Sequence, residues 1–136
     1  MLDLMIAAAM LQQQVNPCYA VGVPPPASCP VWRSLHRDNQ AELFVEPASM
    51  RVDGDSFELR IRVLFAQAGG DGARNMVLVQ RYDCRARTAA LASLYSYDQG
   101  GRMVQNRVIL RNVMQPRPVG PGSPEAIVLA AACRRQ

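Results

Sequence analysis

Residues 57–63, Phe-Glu-Leu-Arg-Ile-Arg-Val, alternate without a break: Phe57, Leu59, Ile61 and Val63 fall on one side, and Glu58, Arg60 and Arg62 on the other. A period of two sends successive side chains to opposite faces of a pleated strand, so this run reads as a half-buried antiparallel strand and not as a helix. Its neighbours extend the pattern. Asp53-Gly54 is a two-residue turn signal, which makes 43–52 the partner strand, bent at Pro47 where the ladder lacks a donor. Gly69, Gly70 and Gly72 mark a loop, after which 76–85 and 88–97 form two further strands. These glycines are turn formers, since a phosphate-binding loop would need a lysine and a following helix. Gly100-Gly101 turns the chain into 103–112, with Val104, Val108 and Leu110 facing opposite Arg107 and Arg111. A meander of about five strands results.

The period changes once, near the C-terminus. Gly122-Ser-Pro-Glu-Ala-Ile-Val-Leu-Ala-Ala-Ala-Cys133 has Ser123 as N-cap, Pro124 in the first helical position and Glu125 at the positive end of the dipole. Ala126, Leu129, Ala130 and Cys133 share one face by helical spacing. Ile127, Val128, Ala131 and Ala132 leave the other side apolar as well, so the helix calls for cover from a dimer partner, an N-terminal arm or a curved sheet. The fold class expected is therefore α+β: an antiparallel meander with a C-terminal helix packed on one face.

Four cysteines, Cys18, Cys29, Cys84 and Cys133, lack any CxxC spacing, which counts against a metal site and for two disulfides in an oxidising compartment. Three connectivities exist. Pairing Cys18 with Cys29 and Cys84 with Cys133 is favoured because each closes a sensible loop, the second stapling the sheet to the terminal helix. Loop-closure entropy makes the long loop worth roughly 4 kcal/mol and the short one about 3 kcal/mol.

Of 136 residues, 49% are apolar, enough for one domain with a real core and too few for two. All fifteen basic residues are arginine, the net charge is only +4, and acids are interspersed among the arginines. No basic run carries interleaved aromatics, so a dedicated nucleic-acid binder is not indicated. The stretch 2–11 is apolar except for Asp3, long enough for a signal-peptide core and too short to span a membrane. It reads either as a leader, clipped of its basic start, or as a short helix on the domain. Asn16 and Pro17 ahead of Cys18 are not the small residues of a lipoprotein cleavage site. Pro24, Pro25 and Pro26 read as an extended linker. The organisation expected is a leader or arm over 1–30 and a domain over 31–136.

Several of these segments occur together in a known family. Trp32, Phe44 to Met50 with Pro47-Ala48-Ser49, the turn Arg51-Val-Asp-Gly54, Tyr82-Asp-Cys84, Ser93-Leu-Tyr95 with Tyr97-Asp98, and the 121–133 helix resemble, in order and spacing, the bacterial surface-adhesin protein E family. The resemblance covers residues 32–133 and implies an antiparallel sheet with a disulfide-tethered helix in its concavity. It also implies export to the periplasm or outer-membrane surface of a Gram-negative bacterium, and binding of host matrix or serum proteins. The pair Cys18 and Cys29 departs from the family pattern.

Catalysis finds little footing. His36, the sole histidine, stands between Ser34 and Asp38, but adjacency along a chain is not the convergence a triad requires. Asp53 and Asp55 flank Gly54 as turn residues. Trp32 reads as a core anchor, and Tyr95 with Tyr97 as a packed aromatic stripe or, second, a ligand platform. No cofactor or metal is implied. The candidate binding surface is the outward sheet face, where Arg60, Arg62, Arg81, Arg107 and Arg111 stand among Leu64, Val77, Val79 and Ile109, a mixture that interfaces favour. The competing reading is a solvated face balanced by Glu58 and Asp83. If the face binds, alanine at Arg60 and Arg62 should weaken association and leave stability nearly unchanged. The function expected is thus non-catalytic protein or matrix binding at the cell envelope, with a small-ligand or anion binder, using a pocket between helix and sheet, as the alternative.

Overall fold

The computed structural model describes residues 15–133. Its strands are β1 (Val15–Ala20), β2 (Arg33–Arg37), β3 (Ala41–Asp53), β4 (Ser56–Phe65), β5 (Asn75–Asp83), β6 (Thr88–Tyr97), β7 (Gly100–Val108) and the short β8 (Arg117–Pro118). A 3-10 turn, Arg111–Val113, lies between the last two, and the helix α1 (Pro124–Cys133) closes the chain. The sheet order is β1-β7-β6-β5-β4-β3-β2, with β8 beside β6. Every pairing is antiparallel. The expected meander is therefore present as β3 to β7. β1, β2 and β8 had no legible signal, being short or interrupted by proline, and β7 begins and ends earlier than the 103–112 expected.

The bend at Pro47 is a bulge. Glu46 pairs with Arg60 and Arg51 with Glu58, so residues 47–50 stand opposite Leu59 alone. Ser49 repairs the ladder there: its hydroxyl donates to the Glu46 carbonyl at 2.7 Å and accepts the Arg60 N–H at 2.9 Å.

One face of the sheet carries the main core. Leu43, Val45, Phe57, Leu59, Ile61 and Tyr82 pack against Val128 and Leu129 of α1. Phe57 and Tyr82, directly paired across β4 and β5, stack with centroids 5.0 Å apart. The buried Tyr82 hydroxyl finds a partner in the Gln80 side chain on the same face. Ser123 caps α1 as expected, accepting from the Ala126 N–H at 3.2 Å. The buried side of α1 is turned by one residue from the expected one: Val128, Leu129, Ala132 and Cys133 meet the core, whereas Ala130 is exposed. Alanine discriminates little between faces, so the larger Val128 sets the rotation. The uncovered back is Ala130 and Ala131, two methyl groups that need no cover.

The opposite face holds a second, smaller core. Tyr19 from β1, Val77 and Tyr97 are buried there, with Cys18, Trp32, Tyr95 and Met103 against them. Tyr19 stacks on Tyr97 at 4.6 Å and meets Trp32 at 6.5 Å. β1 and β2 are the two ends of the strand order, yet Tyr19 touches the residue preceding β2, and Cys18 is bonded to Cys29. The sheet is thus curled until its edges approach, and residues 15–30 belong to that closure. The stretch 1–14, leader or helix, lies outside the described residues.

All three buried phenols, Tyr19, Tyr82 and Tyr97, resist ionisation chiefly through burial. Burial, reinforced by Tyr97, pushes the Tyr19 phenol up to about 12, and burial pushes Tyr82 up as well. The folded state keeps a proton that the unfolded chain releases near its ordinary value of about 10, so this contribution to stability is complete below pH 10 and is lost as pH rises above it. Urea midpoints should accordingly fall between about pH 10 and 12. The phenolate absorbance of the three buried tyrosines should appear only with unfolding, and their normal titration in folded protein would contradict this.

Candidate functional site

The arginine face is built by register. Glu58 pairs with Arg81, Arg60 with Val79 and Arg62 with Val77, all turned away from α1. Arg60, Arg62 and Arg81 do share that face, but each is engaged internally. Arg60 Nη1 lies 2.9 Å from Glu46 Oε1, whose side chain is only 11% exposed. Arg81 Nη2 lies 3.2 Å from Asp53 Oδ2. Arg62 is enclosed: its guanidinium sits 5.7 Å, 5.9 Å and 5.1 Å from the ring centroids of Tyr19, Trp32 and Phe44. Its Nε donates to Asn75 Oδ1 at 2.8 Å, and the fully buried Asn75 amide donates on to the Tyr19 carbonyl at 3.0 Å. Burial pulls the guanidinium below its ordinary pKa, with Tyr19 and Glu42 opposing.

Arg62 therefore fastens β1 to the sheet. Removing it leaves Asn75 and three ring faces without their cation, at a cost of about 1–3 kcal/mol. Arg62→Ala should lower the urea midpoint and shift Trp32 fluorescence, whereas the exposed Arg111→Ala should change neither. This reverses, for Arg62, the expectation of unchanged stability. An Arg62→Ala protein as stable as the parent would show that the cage holds nothing.

Arg107 lies on the other face. It pairs with Leu94, which pairs with Leu78, which pairs with Ile61 of the main core. Val108 correspondingly faces away from the helix, 69% exposed. The expected parity of this strand is inverted because β7 buries little on either side. Its register follows from the turn at Asp98, which accepts the N–H groups of Gly100 and Arg102, and from an irregularity at Tyr97. Arg111 has left the sheet for the 3-10 turn. There its Nη2 comes 3.9 Å from Glu58, and it shares a shallow hollow with Arg81, Ala90, Met114 and Pro116.

A cleft of about 780 Å3 opens between the start of α1 and the end of β7. Gln80, Leu91, Arg107, Arg117, Val119 and Glu125 contribute to its lining. Among the described residues neither Arg107 nor Arg117 has a carboxylate within ion-pair distance. Charge is distributed unevenly along the chain: residues 99–124 contain four arginines (102, 107, 111 and 117) and no acid, and the other eleven arginines are matched by the eleven acids. The same segment exposes Val104 at 38%, Leu110 at 69% and Val113 at 57%, besides Val108. A basic, aliphatic surface of this kind suits a partner better than it suits solvent. The absence of acids from 99–124 was readable in the sequence; the segment's exposure was not, because Val104, Val108 and Leu110 read as core.

His36 and Asp38 approach at 3.5 Å on the β2–β3 hairpin, both about half exposed. The Asp38 carboxylate accepts the Ala41 and Gln40 N–H groups, which hold it below the usual carboxylate range. It serves the turn. Tyr97 belongs to the second core, with Tyr95 against it, which makes them a packed stripe. Among the described residues no three His, Cys, Asp or Glu side chains gather as a metal site, and no helix is long and apolar enough to cross a membrane. The disulfides are Cys18–Cys29 and Cys84–Cys133, with Cα separations of 5.5 Å and 5.7 Å.

Solved structures of Haemophilus influenzae protein E share this fold. The selenomethionine form aligns with a TM-score of 0.53 at 12% identity, covering 82% of this chain and 93% of that one. A second crystal form gives 0.52 at 14%, covering 85% and 98%. Protein E from a non-typeable strain gives 0.50 at 11%, covering 84% and 83%. At such identities the likeness is one of fold. No curated protein sequence matches the chain. The family model of surface-adhesin protein E, however, matches residues 32–134, from the tryptophan of the second core through the disulfide that holds α1. With the family model matched over 32–134 and the fold shared with solved protein E structures, the chain belongs to the surface-adhesin protein E family.

Proposed function

We propose that this chain is an exported, non-catalytic domain of the bacterial cell envelope that works by holding a protein or matrix partner. The observation that carries the reading is the 99–124 segment, which bears four arginines and no acid of its own beside exposed aliphatic side chains. Arg107 and Arg111 belong to it, Arg111 standing 3.9 Å from Glu58, whereas Arg60, Arg62 and Arg81 are held by Glu46, Asn75 and Asp53 respectively. Two disulfides agree with an oxidising compartment.

The test has two parts. Intact mass and thiol labelling of protein from fractionated native cells should find it in the envelope with no free thiol. The purified full chain should bind an immobilised extracellular-matrix extract, and Arg107→Glu with Arg117→Glu should weaken that binding. Cytosolic protein with four thiols, or no matrix binding at all, would overturn the reading. A second reading, a small anionic ligand held in the cleft, is favoured by Arg107 and Arg117 lining it together. It predicts saturable stabilisation by a free dicarboxylate.

A further inference from the structure

We infer that the cleft between the first turn of α1 and the end of β7 holds the free C-terminus of a partner protein, one that ends in an acidic residue preceded by an aliphatic one. The inference rests on the reading of this chain as a protein-binding domain and names the part of the partner that is held.

The floor of the cleft provides the first observation. Gln80 contributes to it and is only 9% exposed. Its Oε1 accepts the Tyr82 hydroxyl, and its Nε2 has no hydrogen-bond partner among the described residues. Among those residues no side-chain nitrogen or oxygen is sealed from solvent without a partner, so the amide N–H groups of Gln80 open into the cleft. A donor so deeply set is best satisfied by an acceptor that a ligand brings to it.

The rim provides the second. Arg107 pairs with Leu94 opposite Leu78, and Arg117 pairs with Ala89 opposite Tyr82, which places both arginines on the helix side of the sheet. Both line the cleft, together with one acid, Glu125 in the first turn of α1. Neither arginine lies within ion-pair distance of Glu125 or of any other described carboxylate. Two guanidinium groups and one carboxylate complement a ligand that carries two carboxylates and an N–H. A C-terminal glutamate or aspartate carries these groups side by side: its α-carboxylate and side-chain carboxylate each suit a guanidinium fork, and its backbone N–H suits Glu125.

The walls provide the third. Leu91, Ile109 and Val119, all half-buried, offer an aliphatic surface to the residue before the acidic one. A volume of about 780 Å3 suits a ligand far larger than a lone anion. The end of α1 is not itself the anchor, since Ser123 accepts the Ala126 N–H and donates to the Gly120 carbonyl.

The experiment uses the full chain and a fluorescein-labelled hexapeptide that ends in leucine and glutamate with a free C-terminus. Controls are the same peptide as its C-terminal amide, a version ending in lysine, and glutarate as competitor. Fluorescence anisotropy should show saturable binding of the free-acid peptide. Amidation should weaken it at least about tenfold, and so should Arg107→Gln with Arg117→Gln. Both arginines are exposed, so the double variant should fold as the parent does. Gln80→Glu keeps an acceptor for the Tyr82 hydroxyl and loses the donor, and should weaken binding likewise. Four outcomes would each overturn the inference: no binding, equal binding of the amidated or lysine peptide, undiminished binding by either variant, or competition by glutarate as effective as by unlabelled peptide, which would make the cleft a site for small anions. Matrix binding that persists without peptide binding would remove this inference and leave the binding-domain reading intact; loss of both would remove both.

Discussion

Replacing Cys84 and Cys133 together with serine should lower stability by about 4 kcal/mol, the loop-closure entropy of a bridge of this span. The two residues are 49 apart in sequence and their Cα atoms 5.7 Å apart. The helix that the bridge retains has ten residues, too few to persist alone in water. It nevertheless supplies Val128 and Leu129, 1% and 0% exposed, to the main core. Without the staple the unfolded chain gains freedom, and α1 must be recruited by packing alone. Removing both cysteines avoids leaving a reactive thiol, and urea unfolding of the two proteins measures the difference. The Cys18–Cys29 pair, separated by 11 residues, should cost about 3 kcal/mol by the same argument. A loss below about 1 kcal/mol at Cys84 and Cys133 would mean that the helix is held by its apolar contacts and the bridge is incidental.

Gly101→Ala should cost about 2–4 kcal/mol and release β1. Gly101 has φ of +84°, and a Cβ there would intrude on the Asn16 carbonyl oxygen and stand 3.2 Å from the Ala20 nitrogen. Both are backbone atoms of the strand paired with β7, so neither can swing aside as a side chain would. Displacing β1 withdraws Tyr19 from Tyr97, Trp32 and Arg62. Trp32 is the only tryptophan, so its emission reports on this region directly. Gly72 provides the control: φ is +86°, but a Cβ would meet nothing within 4 Å. Gly72→Ala should carry only the conformational cost, about 1 kcal/mol. Equal losses at the two glycines, with unchanged tryptophan emission, would show that close packing of β1 on Gly101 contributes nothing.

The arginines show where sequence reasoning stops. Arg60 and Arg62 alternate with the core residues of β4, and alternation placed them correctly on the face away from α1. Whether such a residue is free or engaged depends on what crosses above it. Phe44 faces Arg62 directly across β3 and β4, but the rings of residues 19 and 32 reach it only through the curl of the sheet. Arg107 failed for a different reason. Burial enforces strand parity, and in β7 only Gly101 is buried, so its apolar residues carried no information about which face they would occupy.

Local chemistry determined the elements whose signals are short-range: the strands from period two, the helix from Ser123, Pro124 and Glu125, and the staple from the placement of Cys84 and Cys133 after a strand and at a helix end. The strands and the helix were legible because each rests on residues adjacent or one turn apart, and the staple because each of its cysteines closes one such element. Tertiary structure decided the rest: the addition of β1 across Gly101, the cage around Arg62, the rotation of α1, and the exposure of the basic segment. Each depends on contacts between segments tens of residues apart, and the pattern within either segment does not encode which partner the other will present.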